Sequence, residues 1–442
     1  MRVGELALTD AARRLDWVYG FWKSLSPYAY ARVEDEVVIL PPNLVFKTNR
    51  TGAMLLDHIG AGGRLESIPG FDDGRALEVE RFFLSLKAAY EGRPAELERV
   101  SYGFDFTRLP VLGEIAITYR CDNRCRFCYA GCGDDSGLAL AQSSGASELD
   151  TDGWKRVIDI FKDEAKIPFF SFTGGEPLVR RDVEDLAAYA VSRGLRVNLV
   201  TNGRLATPER AASLFASGLH TAQVSVEAPA APLHDELCGA AGAFDETVAG
   251  IRAMIAAGMS VQTNSTLTRA NRDALLEMPR FVASLGVKRM SMNLFIPTGT
   301  GRSAADLFFP YAEAGDFVDD VRKRAHEAGV DFFWYSPLPM CLYNPIARGL
   351  GNKSCAACDG LLSVSPSGDV LPCSSWPEPV GNLLTDGFSA VWFSEAAAWF
   401  KQKHYAPEAC ISCSSFTACQ AACPLYWRYA GCSELAARKE AR

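Results

Sequence analysis

Between residues 113 and about 335 the chain alternates two hydrophobic periods. Runs with apolar residues at every second position, at Glu114–Tyr119, Phe169–Thr173, Arg196–Thr201, Thr221–Val226, Ser260–Thr266 and Arg289–Leu294, predict six strands. Between them apolar residues fall three and four apart, which predicts helices over Asp152–Ala165, Asp182–Arg193, Pro208–Ser217, Phe244–Ala257 and Arg272–Leu285. Strands alternating with helices imply a parallel sheet with helices outside it, and right-handed crossovers curl such a sheet into a full or partial barrel. The expected fold is α/β, a partial (βα)6 TIM-like barrel. Ligands of such barrels bind at the C-terminal ends of the strands.

The flanks read differently. Residues 1–100 carry two short apolar strands, Glu36–Leu40 and Leu44–Lys47, then helical spacing over Thr51–Ile59 and Ala76–Tyr90. Gly60, Gly62 and Gly63 end the first of these helices. This order resembles a winged-helix-like module, the peptide-recognition element of many ribosomal-peptide modification systems. Residues 336–442 show little periodicity and are rich in Pro, Gly, Ser and Cys. They carry nine of the fourteen cysteines, so this irregular part is expected to gain its stability from metal clusters. The expected domains are therefore 1–100, 101–335 and 336–442.

Composition narrows the class. With 442 residues, 48% hydrophobic and 22% charged, the chain has a soluble composition and length for two or three domains. No run approaches the roughly 18 apolar residues of a membrane span, and no signal peptide is legible, so a cytoplasmic protein with no membrane partner is expected. A net charge of −8 argues against nucleic acid as the main partner. All cysteines except Cys238 fall at 121–132 or 341–432. Reduced cytosolic thiols at short spacing point to metal ligation rather than disulfides.

Cys121, Cys125 and Cys128, in Cys-Asp-Asn-Arg-Cys-Arg-Phe-Cys, directly follow the first strand. A structural zinc site takes four protein ligands. A cubane held by three thiolates leaves one iron open. The motif resembles that of the radical S-adenosylmethionine (SAM) enzymes, in which the open iron chelates the amino and carboxylate groups of SAM. The resemblance makes Phe127 the aromatic beside the adenine. It leaves out Cys132, since a fourth thiolate blocks SAM. Thr173-Gly174-Gly175-Glu176-Pro177 ends the second strand, where paired glycines let a ligand approach the backbone and Glu176 supplies an anion. In the family this motif binds the SAM amino group. Thr201-Asn202-Gly203 and Ser225 resemble further SAM-contacting positions, Ser225 for the ribose or carboxylate. Asn264, Thr266 and Asn293 point to the same end, whereas Met292 and Phe295 read as core. The segment Leu233–Gly239 resembles a family stretch with Arg before the Gly, but Cys238 stands there, so another group must neutralise the SAM carboxylate.

The spacing Cys410-x2-Cys413-x5-Cys419-x3-Cys423, a gap, then Cys432 resembles the SPASM extension of radical SAM enzymes. Its upstream half is Cys358-x9-Gly368-x4-Cys373, with Cys355 close by. The resemblance implies two auxiliary [4Fe–4S] clusters with interleaved ligands. Cys410, Cys413, Cys419 and Cys432 would hold one. Cys373 and Cys423, with Cys355 and Cys358, would hold the other, and Cys341 is a rival fourth ligand. Zinc is the alternative occupant. Fully ligated clusters would transfer electrons. Sulfatase-maturing relatives carry a catalytic Asp after the Cys equivalent to Cys373, but this chain has Ser374, which is no base at neutral pH without a helper. Asp369 and Tyr335 are the remaining guesses for a base.

The resemblance implies reductive cleavage of SAM to a 5′-deoxyadenosyl radical that abstracts a substrate hydrogen, with a flavodoxin- or ferredoxin-type donor. The expected substrate is a ribosomally made precursor peptide, modified by a thioether, a carbon–carbon crosslink or epimerisation. The alternatives are an oxidoreductase acting on a small molecule or tetrapyrrole, and a non-catalytic cluster carrier. Anaerobically reconstituted protein should hold about twelve iron and twelve sulfide per chain, from three cubanes. A colorimetric count of about four each, from one cubane, would assign the C-terminal cysteines to zinc.

Overall fold

The structure is a computed structural model that describes residues 14–26, 29–40, 44–99, 107–132 and 147–437. The expected domain boundary at residue 100 lies outside them. The chain divides into two compact units, residues 1–101 with 105–111, and 102–104 with 112–442.

In the first unit, α1 (Asp16–Leu25) precedes an antiparallel sheet of β1 (Tyr30–Arg32), β2 (Val37–Leu40) and β3 (Leu44–Lys47), in that order. Two helices follow, α2 (Arg50–Gly60) and α3 (Asp73–Tyr90). Asn49 caps α2 by accepting from Gly52 N, and Asp72 caps α3 by accepting from Arg75 N. Val18, Trp22, Val38, Leu56, Phe83 and Leu86 meet in one apolar cluster. Arg32 is buried but fully engaged: it pairs with Asp35 at 2.6 Å and donates to the carbonyls of Pro110 and Leu109 at 2.6 and 3.1 Å. Sequence periodicity missed α1 and β1. The apolar stripe of α1, Val18, Trp22 and Leu25, has helical spacing and was available in the sequence, whereas β1 is only three residues long.

The second unit is built on one sheet, which among the described residues runs β10-β9-β8-β7-β6-β5-β4-β11-β12-β13. Its parallel core is β4 (Leu112–Thr118), β5 (Phe169–Gly174), β6 (Arg196–Thr201), β7 (Thr221–Ser225), β8 (Ser260–Leu267) and β9 (Arg289–Leu294). These are the six expected strands. The intervening helices are α4 (Thr151–Asp163), α5 (Val183–Ser192), α6 (Pro208–Ala216), α7 (Ala231–Cys238), α8 (Ala243–Ala256), α9 (Arg272–Leu275) and α10 (Met278–Ser284). The last two replace one expected helix, because Pro279 favours a fresh helical start over continuation. Alternate strand residues are buried and mostly apolar. Phe170, for example, meets Phe161 of α4 edge-on at 5.6 Å.

Three pieces escaped the sequence pattern. Helix α11 (Tyr311–Glu327) buries Phe317, Val318 and Val321 but is otherwise strongly charged. It leads into β10 (Asp331–Trp334), parallel to β9. After residue 336, β11 (Leu361–Val364) adds to the free side of β4 in parallel, and β12 (Asp369–Leu371) and β13 (Gly381–Asn382) follow antiparallel. The C-terminal segment thus continues the barrel sheet before breaking into short helices. Phe170→Ala should cost about 3–5 kcal/mol through the cavity it leaves, read as a lowered denaturation midpoint.

Candidate active site

The ends of β4, β5 and β6 are tied together by backbone. Gly175 N donates to Thr118 O at 2.8 Å and Glu176 N to Arg120 O at 2.9 Å, strapping the turn after β5 to the loop that follows β4. The approach is close enough to require glycine: a Cβ on Gly174, whose φ is +131°, would lie 2.1 Å from Thr118 O, and one on Gly175 would lie 2.4 Å from Arg120 O. Glu176 is fully buried. Its carboxylate accepts from Leu178 N at 2.9 Å, Thr201 Oγ1 at 2.8 Å and Asn202 N at 2.7 Å. Burial pushes its pKa up to about 7 against these bonds. Asn202 in turn donates to Asp122 Oδ1 at 2.6 Å. Thus Gly174, Gly175, Glu176, Thr201 and Asn202 converge on the cysteine loop.

Within that loop Cys121, Cys125 and Cys128 share one locality, Cys125 lying in the field of Cys128 and Cys121 in that of Cys125. Three thiols beside a glycine-lined turn are the donor set a three-thiolate cluster takes, although among the described residues no three thiols stand close enough together to hold a metal ion. Two further thiols flank the set. Cys132 hydrogen-bonds Cys128 and lowers its pKa to about 6. Cys238, at the end of α7, hydrogen-bonds Cys125. His234, one turn earlier on α7, is buried; its Nδ1 accepts from Glu227 N at 3.1 Å, and its Nε2 lies 3.5 Å from Cys238 Sγ. Phe127 packs with Leu237, Phe295, Leu307 and Leu233. Phe295 and Met292 are core, as the sequence indicates.

Below this rim the barrel's second strand face keeps partial exposure and is polar: Glu114, Ser171, Asn198, Gln223, Gln262 and Asn293. Ser225 pairs in register with Asn264, whose amide donates to Asn293 Oδ1 at 2.8 Å. Thr266 N donates to the buried Glu227 carboxylate at 2.7 Å. Of the two guesses for a base, Asp369 is occupied by Ser367 and by Asn382 in its hairpin. Tyr335 lies exposed against Gln262.

The C-terminal thiols sort into two groups. Cys373 lies in the field of Cys355 and Cys423, Cys423 in that of Cys355, and Cys358 in that of Cys355. Cys410 lies in the field of Cys419, Cys341, Cys413 and Cys432. Each group supplies at least four thiols, the number a fully ligated cubane takes, although among the described residues no three of them stand close enough together to hold a metal ion. Cys341 lies in the field of Cys410. Met340 N donates to Cys419 Sγ at 3.3 Å.

Residues outside the motifs also frame the site. Arg204 donates to Asp122 O at 2.6 Å and Asn123 Oδ1 at 2.8 Å, and pairs with Glu246 at 2.6 Å. It follows Asn202-Gly203 directly, and that adjacency was its only signal. Lys403 and Asp359 form a fully buried pair at 2.8 Å, with Lys403 also donating to Cys355 O at 3.0 Å. Nothing in the sequence marks two residues so far apart as partners.

Known proteins carry the same features. Residues 115–294 match the radical SAM superfamily and residues 355–414 the SPASM iron–sulfur cluster-binding domain. The chain is 29% identical to the AdoMet-dependent heme synthase of Nitratidesulfovibrio vulgaris, over 62% of this chain and 77% of that one. It is 29% identical to the PqqA peptide cyclase of Methylocella silvestris, over 67% of this chain and 78% of that one. Its fold is similar to that of Streptococcus suis SuiB, solved with the precursor peptide SuiA, at a TM-score of 0.64 and 17% identity over 90% of this chain and 94% of that one.

Glu227 yields a pH prediction. Burial raises its pKa from 4.5 to about 7. The folded chain therefore holds a proton through that window which the unfolded chain has released, and stability falls as pH rises through it. Glu227→Gln removes this loss while keeping an acceptor for Thr266 N. Relative to wild type it should gain about 3 kcal/mol between pH 4 and pH 8, measured by denaturant unfolding at both values.

Proposed function

This chain belongs to the radical SAM superfamily, and from that premise we propose that it matures a ribosomally made precursor peptide by forming a thioether, a carbon–carbon crosslink or an epimerised centre. Its radical SAM domain binds a [4Fe–4S] cluster and SAM, and its SPASM domain binds auxiliary iron–sulfur clusters. Bound together, cluster and SAM supply a 5′-deoxyadenosyl radical that abstracts a substrate hydrogen. In our reading Cys121, Cys125 and Cys128 hold that cluster. Gly174, Gly175, Thr201, Asn202 and Ser225 line the SAM site, with Phe127 at its apolar wall. Glu176 holds the rim in shape, since its oxygens already accept from three protein donors. Cys355, Cys358, Cys373 and Cys423 form one auxiliary site, and Cys410, Cys413, Cys419 and Cys432 the other. The electron donor in this reading is a flavodoxin or ferredoxin, and the compartment is the cytoplasm. Among the described residues no helix is long and apolar enough to cross a membrane.

The observation that carries the peptide reading is the small antiparallel sheet of the first unit. Sheet edges recruit extended peptides through main-chain hydrogen bonds. β3 already takes an antiparallel bridge from Arg99 to Phe46, and Lys47 N donates to Glu98 O at 2.8 Å. The PqqA peptide cyclase and the peptide-bound SuiB support the same direction. Likeness to the heme synthase favours a second reading, a small-molecule or tetrapyrrole substrate, in which the first unit is a structural cap. Deletion of residues 1–100 separates the two. On the peptide reading the truncated, reconstituted chain should still release 5′-deoxyadenosine from SAM but leave the full precursor unmodified by mass spectrometry. Undiminished modification would sink it.

A further inference from the structure

Sequence leaves the reaction without a base, because Ser374 stands beside Cys373 where sulfatase-maturing relatives have a carboxylate. The structure brings a different carboxylate to that spot. Glu114, on β4, lies in register between Ser363 of β11 and Ser171 of β5. Its Oε1 accepts from Ser374 N at 3.0 Å, and the hydroxyls of Ser363 and Ser374 also hydrogen-bond the carboxyl. On its other side are Tyr119 and Tyr129 of the cysteine loop, both within its field, and Tyr129 OH donates to Gly174 O at 3.2 Å. Cys373 lies within that field too. Glu114 therefore stands inside the barrel between the Cys121–Cys128 loop and the Cys373 thiol group.

Its exposure separates it from Glu176 and Glu227. Glu176 and Glu227 are buried and accept from Asn202 N and Thr266 N. Glu114 sits mid-strand on the partly accessible polar face, where its neighbours in register are serines. Among the described residues no Lys, Arg or His pairs with it, and enclosure raises its pKa. A partly enclosed carboxylate without a cation costs stability, so its place on the polar barrel face argues for use there.

We propose that Glu114 is the proton-accepting catalytic residue of bond formation on the substrate. The assignment rests on the peptide-maturase reading and its bond-forming branch. After hydrogen abstraction the peptide carbon is a radical. Attack on it by a neighbouring S–H or ring C–H forms the new carbon–sulfur or carbon–carbon bond and breaks that bond to hydrogen. The proton passes to the Glu114 carboxylate, and the remaining electron leaves to a one-electron acceptor of the iron–sulfur class. Ser374 and Ser363 orient the carboxylate, which is the helper role left to them once Ser374 itself is no base.

The test uses full-length reconstituted enzyme with precursor peptide, comparing wild type, Glu114→Gln and Glu114→Asp. Loss of a general base costs about 100- to 10,000-fold. Glu114→Gln should therefore form 5′-deoxyadenosine within about threefold of wild type while modified peptide falls by about 100-fold or more, with iron content unchanged. In deuterated water its peptide should return unmodified but deuterium-labelled where the quenched radical was. Glu114→Asp should restore part of the product. Modified peptide from Glu114→Gln at the wild-type rate overturns the assignment alone. Joint loss of iron, 5′-deoxyadenosine and product in Glu114→Gln, with Glu114→Asp no better, marks a structural role and also overturns it. A wild-type enzyme that modifies no peptide overturns the maturase reading and takes this assignment with it.

Discussion

The carboxylate of Glu176 is the joint on which the site depends. It reaches from the turn after β5 to the end of β6, accepting from Thr201 Oγ1 and Asn202 N, while its own backbone N–H holds the loop after β4. A buried anion left unsatisfied would cost several kcal/mol; three donors offset that cost and fix three strand ends in one geometry. The glycines at 174 and 175 are the other half of the joint, because any Cβ there would push the cysteine loop off its strand. The positions of Cys121, Cys125 and Cys128 therefore follow from a carboxylate fifty residues away in sequence.

The C-terminal part solves a different problem. It has few long apolar stretches, so its own core is small: Ala397, Phe400 and the thiols of Cys355 and Cys358, with Trp376 and Tyr405 against them. Two devices compensate. β11 borrows the barrel's sheet by pairing with β4, so part of the segment shares the larger core. The buried Lys403–Asp359 pair is anchored to the Cys355 carbonyl, and breaking one side would strand a charge in a low-dielectric interior. The first device sets Cys358 and Cys373 beside the N-terminal end of β4, the opposite end from the Cys121–Cys128 loop.

What was legible in the sequence was local. The six core strands could be read because apolar and polar residues alternate in most of them, with burial alternating strictly at Phe169–Gly174 and Ser260–Leu267, and the cysteine, Gly-Gly-Glu and Thr-Asn-Gly motifs because each ends a strand. What stayed hidden was either short or relational. β1 has three residues, and α11 is so charged that its apolar stripe is thin. Glu114 looked like an ordinary strand residue, since its meaning lies in the Ser374 amide that folding brings to it. The nearness of Cys341 to Cys410, and of Met340 to Cys419, likewise appears only on folding. Pairings across hundreds of residues leave no trace in periodicity.

The two C-terminal thiol groups are threaded through one another in the chain. Cys373 and Cys423 bracket Cys410, Cys413 and Cys419, which face the other group. During synthesis, then, the first group lacks its Cys423 until the ribosome has already delivered three thiols of the second. The two thiol groups are completed almost together and late, long after the Cys121–Cys128 loop has emerged. A nascent chain thus presents the Cys121–Cys128 loop first, with the C-terminal thiols still to come.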